Sequence, residues 1–188
     1  MSFFNMPSPV FARRQFLGRS GLALSGAAVA LLAGRDALAA QADAGANDVQ
    51  ILNTARGAEL EAIAAYQLGA ESRLLQQPAL GLALTFQGHH KEHADLLAKT
   101  VEKLGGRPVP AKAHYDFPVE QLKSQADVLA FAARLEQGAV SAYLGAVPLF
   151  GNRDLAKAAA SILGDEAMHW AVLRQALGQP PVPSAFVA

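Results

Sequence analysis

The chain is predicted to be all-α, a four-helix bundle in which two antiparallel hairpins are joined by one long crossover. Three observations predict it. Apolar residues recur with helical period in four stretches between about residues 47 and 178, and no segment alternates with the period of a strand. The breaks at Pro78 and at Gly151-Asn152 are tight, which makes each flanking pair of helices an antiparallel hairpin. The middle break, Gly105 to Ser124, is about 20 residues long, contains Pro108, Pro110 and Pro118, and shows no periodicity.

The first helix is expected to start at Asn47 or Asp48, either of which can cap an N-terminus, and to run to Gln77. Pro78 ends it and suits the first turn of the second helix, where a missing N–H forfeits no hydrogen bond. The second helix runs to about Leu104, ahead of Gly105-Gly106 and Pro108. Ser124 caps the third, whose apolar positions include Val128, Leu129, Phe131, Leu135, Val140 and Tyr143; it falters at Pro148 and stops at Gly151. Asn152 caps the fourth, which ends at Leu177-Gly178 before a proline-rich tail with no fifth helix. At ~3.3 Å per extended residue the middle connection reaches roughly 65 Å. Helices of about 25 residues are only ~38 Å long, so that connection can run the length of the bundle.

Residues 1–39 read as an address rather than part of the fold. Arg13-Arg14-Gln15-Phe16-Leu17 is a twin-arginine pattern, followed by the apolar run Gly21 to Ala33 and the small-x-small site Ala37-Leu38-Ala39. That run is shorter than the ~20 residues a membrane-spanning helix needs. The expectation is therefore a twin-arginine signal peptide over 1–39, a single bundle domain over 40–188, and export to the periplasm or beyond with no membrane span after cleavage. An uncleaved anchor is the alternative.

Four of the 16 basic residues and one of the 16 acidic residues lie before residue 40, leaving 12 basic against 15 acidic in the domain. No basic run points to nucleic acid or anionic lipid. There is no cysteine, which excludes disulfides and thiolate ligation. Any metal must be held by carboxylate and imidazole, ligands suited to iron, manganese or zinc.

Such ligands stand on the apolar stripes. Glu166 and His169, one turn apart on the fourth helix, point to one side, among Ala159, Ile162, Leu163, Trp170 and Leu173. Glu136 lies among Leu129, Ala132, Ala133, Ala139, Val140 and Tyr143, and Glu59 among Leu52, Ala55, Ala62, Ile63 and Tyr66, with Arg56 the one charged neighbour. His90 and His93 share Phe86 and Leu97. A carboxylate on an apolar stripe is costly unless paired, protonated or bound to a metal, and a shared cation explains three of them economically. His89 with Glu92 is a competing pair, but Glu92 faces Gly88, Asp95 and Lys99 and reads as solvent-facing. Tyr66 and Tyr143 read as core aromatics or as donors to Glu59 and Glu136. The halves mirror each other: each Glu stands seven residues before a Tyr, and His90-x-x-His93 takes the place of Glu166-x-x-His169.

With these motifs the chain resembles the ferritin-like superfamily, close to exported bacterial ferritin-like domain proteins, over about residues 47–178. The resemblance implies a ferritin-like four-helix bundle with one Glu on each of the first and third helices and a Glu-x-x-His pair on each of the others, around two metal ions. By position it implies Glu59, His93, Glu136, Glu166 and His169 as metal ligands, with His90 standing where the family has a glutamate. An imidazole in that place binds one metal instead of bridging two, and removes a negative charge. An asymmetric two-metal site, a single-metal site and a site without metal all stay open.

Two functions follow as expectations. The first is an exported protein holding iron or manganese at Glu59, His90, His93, Glu136, Glu166 and His169, and oxidising Fe(II) with dioxygen or peroxide, or removing peroxide. The second is a metal-free bundle serving as a binding or structural module of the envelope, its glutamates and histidines satisfying one another. A homodimer is compatible with either.

Overall fold

A computed structural model describes residues 44–187, and the expected export segment lies outside them. Four α-helices make up the fold: α1 (Ala44–Glu71), α2 (Ala79–Lys103), α3 (Gln125–Ala146) and α4 (Arg153–Ala176). Short 3-10 turns at Val119–Gln121 and Val147–Leu149 complete it, and there is no strand among the described residues. No described helix is long and apolar enough to cross a membrane.

The caps show why these helices begin and end where they do. Ser124 Oγ accepts the Asp127 N–H at the start of α3, and Asn152 Oδ1 accepts that of Asp154 at the start of α4. The helices α2 and α4 close on left-handed glycines, Gly105 (φ 78°) and Gly178 (φ 70°). Behind each, the next N–H turns back onto the helix, from Gly106 to Val101 O and from Gln179 to Arg174 O.

Two expectations at the ends of α1 are corrected. The helix is already formed at Ala44, the first described residue, so neither Asn47 nor Asp48 caps it. The buried Asp48 carboxylate instead accepts the Gly151 and Asn152 N–H groups at 2.8 and 3.1 Å, tying α1 to the α3–α4 turn. The far end stops at Glu71, not Gln77. Ser72 Oγ donates to Gly69 O and accepts the Leu74 N–H, while Arg73 turns left-handed at φ 61°. A serine hydroxyl competing for backbone groups ends the helix six residues early. The freed segment is not idle: Leu75 is buried in the core, and the Gln76 N–H donates to Gln125 Oε1.

The hairpins α1–α2 and α3–α4 meet through α1 against α3 and α2 against α4. The crossover spans the bundle end to end. At one end Asn53 grips it, donating to Arg107 O and accepting the Val109 N–H, and Gly106 lies so close to Val49 that a Cβ there would stand 2.6 Å from the valine Cγ1. At the other end it delivers Ser124-Gln125 beside Gln76, at the opposite end of α1. The apolar core falls into two parts. One gathers Tyr66, Leu75, Phe86, Leu129 and Leu173, and the other Leu52, Leu97, Val101, Tyr143 and Ile162. Between them lies a layer of buried carboxylates and imidazoles.

Candidate metal centre

All four helices contribute to that layer. It brings together the six residues singled out in the sequence: Glu59 from α1, His90 and His93 from α2, Glu136 from α3, and Glu166 and His169 from α4. All are buried except His93, which is partly so. They form two overlapping groups, each offering four ligand atoms within 4.8 Å of one another. One comprises Glu59, His90, His93 and Glu166; the other comprises His90, Glu136, Glu166 and His169. His90 and Glu166 belong to both and so stand at the centre.

The tyrosines are bound crosswise. Tyr66 of α1 donates to Glu136 of α3, and Tyr143 of α3 donates to Glu59 of α1 at 2.6 Å. Each hydroxyl is thus spent on the carboxylate of the other hairpin, and His90 of α2 meets both carboxylates. Burial first, then the neighbouring carboxylate charge, pushes both phenols well above their ordinary pKa. Both are neutral donors across the whole working range. Arg56, the one charged neighbour of Glu59 in the sequence, makes no ion pair among the described residues, and its Nε and Nη1 are buried without a hydrogen bond.

His90 lies between two carboxylates. Its Nδ1 is 2.8 Å from Glu59 Oε2 and its Nε2 is 3.3 Å from Glu136 Oε1. Burial opposes a charge on the ring, but the bonds to Glu136 and Glu59 and the charges of Glu136 and Glu166 outweigh it, raising the pKa to about 11. His93 and His169 rise to about 9 in the same way, burial being overcome by Glu166 and Glu59 for His93 and by Glu136 and Glu166 for His169. Burial likewise works to raise Glu136, yet contacts from His169, His90 and Glu166 bring it well below the usual carboxylate range.

The donor set fits a cation. Glu166 is fully buried and neither of its oxygens has a hydrogen-bond partner; the same holds for Nδ1 of His93 and of His169. These atoms converge, with His93 Nδ1 3.2 Å from one Glu166 oxygen and His169 Nδ1 3.6 Å from the other. A buried carboxylate without hydrogen bonds costs several kcal/mol unless a positive partner lies against it. Carboxylate and imidazole together, without thiolate, suit iron, manganese or zinc.

Two further residues join the layer: Asp165, which is not among the candidates from the sequence, and His89, which is set aside there with Glu92. Asp165 Oδ2 lies 3.1 Å from His89 Nδ1, 3.4 Å from His93 Nε2 and 3.2 Å from His169 Nε2. His89 Nδ1 is also 2.9 Å from His169 Nε2. The spacing of Asp165 and His169, four apart on one helix face, was the available signal. Glu92, the alternative partner for His89 in the sequence, is exposed, in keeping with its solvent-facing surroundings.

A four-helix bundle with a buried carboxylate–histidine layer across all four helices defines a class of metal-binding bundle. The chain belongs to the ferritin-like domain family, whose sequence profile matches residues 47–179. Its fold is shared with a conserved hypothetical protein of Mycobacterium tuberculosis, at 24% identity and a TM-score of 0.66 over 77% of this chain and 99% of that one. A ferritin-like, diiron-carboxylate protein of Bacillus anthracis is similar at 20% identity and a TM-score of 0.63, over 73% of this chain and 99% of that one. The bacterioferritin of Desulfovibrio desulfuricans, described with a diiron site in different catalytic states, matches at 20% identity and a TM-score of 0.66, covering 72% and 81% of the respective chains. No curated protein sequence matches.

Proposed function

We infer that the bundle binds redox-active metal, iron before manganese, in the buried layer, and that the loaded protein reacts with dioxygen or peroxide. The observation that carries this reading is the convergence of four buried, hydrogen-bond-free donor atoms, two on Glu166 and one each on His93 and His169. The diiron-carboxylate proteins of the same fold favour iron. Glu59, His90, His93, Glu136, Glu166 and His169 would hold the metal, with Glu166 and His90 shared between the two groups. Bound iron supplies electron transfer to dioxygen or peroxide.

The chain's own part is to hold and to shield. Tyr143 holds Glu59 Oε1 and leaves Oε2 to the centre, while Tyr66 holds the same Glu136 Oε1 that faces His90 and His169, so that both carboxylates are fixed in orientation. The two apolar clusters cover the layer above and below, leaving His89 and Asp165 at its rim in reach of solvent. Delivery through a twin-arginine route, which carries folded proteins, would suit a chain that takes up its metal before export.

A second reading rests on His90. Its contacts to Glu59 and Glu136 place an imidazolium where a cation would otherwise neutralise both carboxylates. On that reading the bundle is a metal-free module of the envelope. Elemental mass spectrometry on protein made in its native host separates the two, with Glu136→Ala as control. About one or two equivalents of iron, lost together with Fe(II) or peroxide turnover in the variant, supports the redox site. Folded protein that neither contains metal nor takes it up on reconstitution refutes it.

A further inference from the structure

We propose that His89, Asp165 and His169 form a second, outer cation site that takes a divalent metal from solvent and passes it inward through His169. The proposal rests on the metal-binding reading above but concerns a different set of atoms. The three donors, His89 Nδ1, Asp165 Oδ2 and His169 Nε2, stand 3.1, 3.2 and 2.9 Å apart pairwise. Three ligands at right angles around an ion at about 2.1 Å would stand about 3.0 Å apart. Protons serve this triangle poorly. If both imidazole nitrogens carry hydrogen, two N–H groups face each other at 2.9 Å; if only one does, another edge is left with opposed lone pairs. A cation satisfies all three edges at once.

Exposure falls along the set in the order a passage requires. The side chain of His89 is 42% exposed, Asp165 22% and His169 2%. Two imidazoles and one carboxylate fill half of an octahedral shell and leave the rest to water, which suits loose binding of a hydrated divalent ion. His169 belongs to both sites through opposite edges of one ring. Its Nε2 faces Asp165 and His89, while its Nδ1 lies 3.5 Å from Glu136 and 3.6 Å from Glu166. A neutral imidazole has one unprotonated nitrogen, so His169 holds an ion on one edge at a time. Filling the inner layer therefore releases the outer site, and the ring acts as a relay rather than a bridge.

The test is rapid mixing of Co(II) with metal-free full chain, followed by the visible absorption of the bound ion. Wild type is expected to show a fast phase that gives way to the spectrum of the inner layer. His89→Ala, a change at a half-exposed side chain, should remove the fast phase and slow the approach to the inner spectrum about tenfold. Asp165→Asn, which keeps the side-chain shape, should do the same. An unchanged time course in His89→Ala overturns the outer site while leaving the inner one standing. Wild type that binds no Co(II) at all overturns the metal-binding reading, and the outer site with it.

Discussion

His90 takes two hydrogen-bond positions that no carboxylate could hold at once, and its charge sets the behaviour of the metal-free layer. The pKa values of His90, His93 and His169 stand at about 11, 9 and 9, above the ordinary 6.5. Their contribution to stability is complete below about pH 6.5 and drains away as pH climbs through 9 and then 11. Glu136 is lowered, so its contribution is present above the ordinary 4.5 and is lost only as pH falls well below it. The chelator-treated protein should therefore melt highest between about pH 4.5 and 6.5 and at steadily lower temperature toward pH 10. Circular dichroism melts across that range check it; a profile flat to pH 10 would mean that the rings are neutral in the folded core. At this scale the six inner residues were legible in the sequence because each is a polar group on an apolar stripe. Asp165 was not, since it lies at the rim where a charged residue is unremarked, and His89 was set aside because Glu92, its neighbour one turn on, faces solvent. The crosswise tyrosine bonds were half legible: the residue types pointed to a donor role, but the partner depends on how α3 lies against α1.

The helices were legible wherever a side chain caps them, as at Ser124 and Asn152, or where a glycine closes them, as at Gly105 and Gly178. The errors fall where a side chain does something else. Asp48 serves a turn a hundred residues away, and Ser72 breaks α1 in a stretch whose apolar residues continue in phase. Neither has a local signature, because the first is a tertiary contact and the second is a competition between hydrogen bonds of similar strength. The crossover is fastened by a close approach. Gly106→Ala would place a Cβ 2.6 Å from Val49 Cγ1 and 3.0 Å from Val101 Cγ1, so neighbouring side chains must shift. A loss of about 1–3 kcal/mol is expected. Urea unfolding should show it as a lower midpoint with unchanged slope; a midpoint equal to wild type would mean that Val49 swings aside freely.

Across the whole molecule the layer joins the hairpins, since every carboxylate in it meets a residue from another helix. Metal that binds the folded chain alone must therefore stabilise the hairpin docking. At free metal about 100 times the dissociation constant the gain is about 2.7 kcal/mol. For a domain of this size that corresponds to a melting temperature higher by roughly 5–10 °C. Calorimetry with iron and after chelation checks it, and coincident melts would show that metal contributes nothing to docking. The crosswise pairing also fixes direction: residue 59 meets 143 and residue 66 meets 136, so α1 and α3 run antiparallel about a local two-fold. That two-fold maps one hairpin's tyrosine and glutamate onto the other's, but it maps Glu166 onto His90. A frame with rotational symmetry thus encloses an unsymmetrical centre. Its two flanks, one facing Glu59 and His93 and the other Glu136 and His169, are unlike, so an ion bound there would meet two inequivalent positions instead of an even choice.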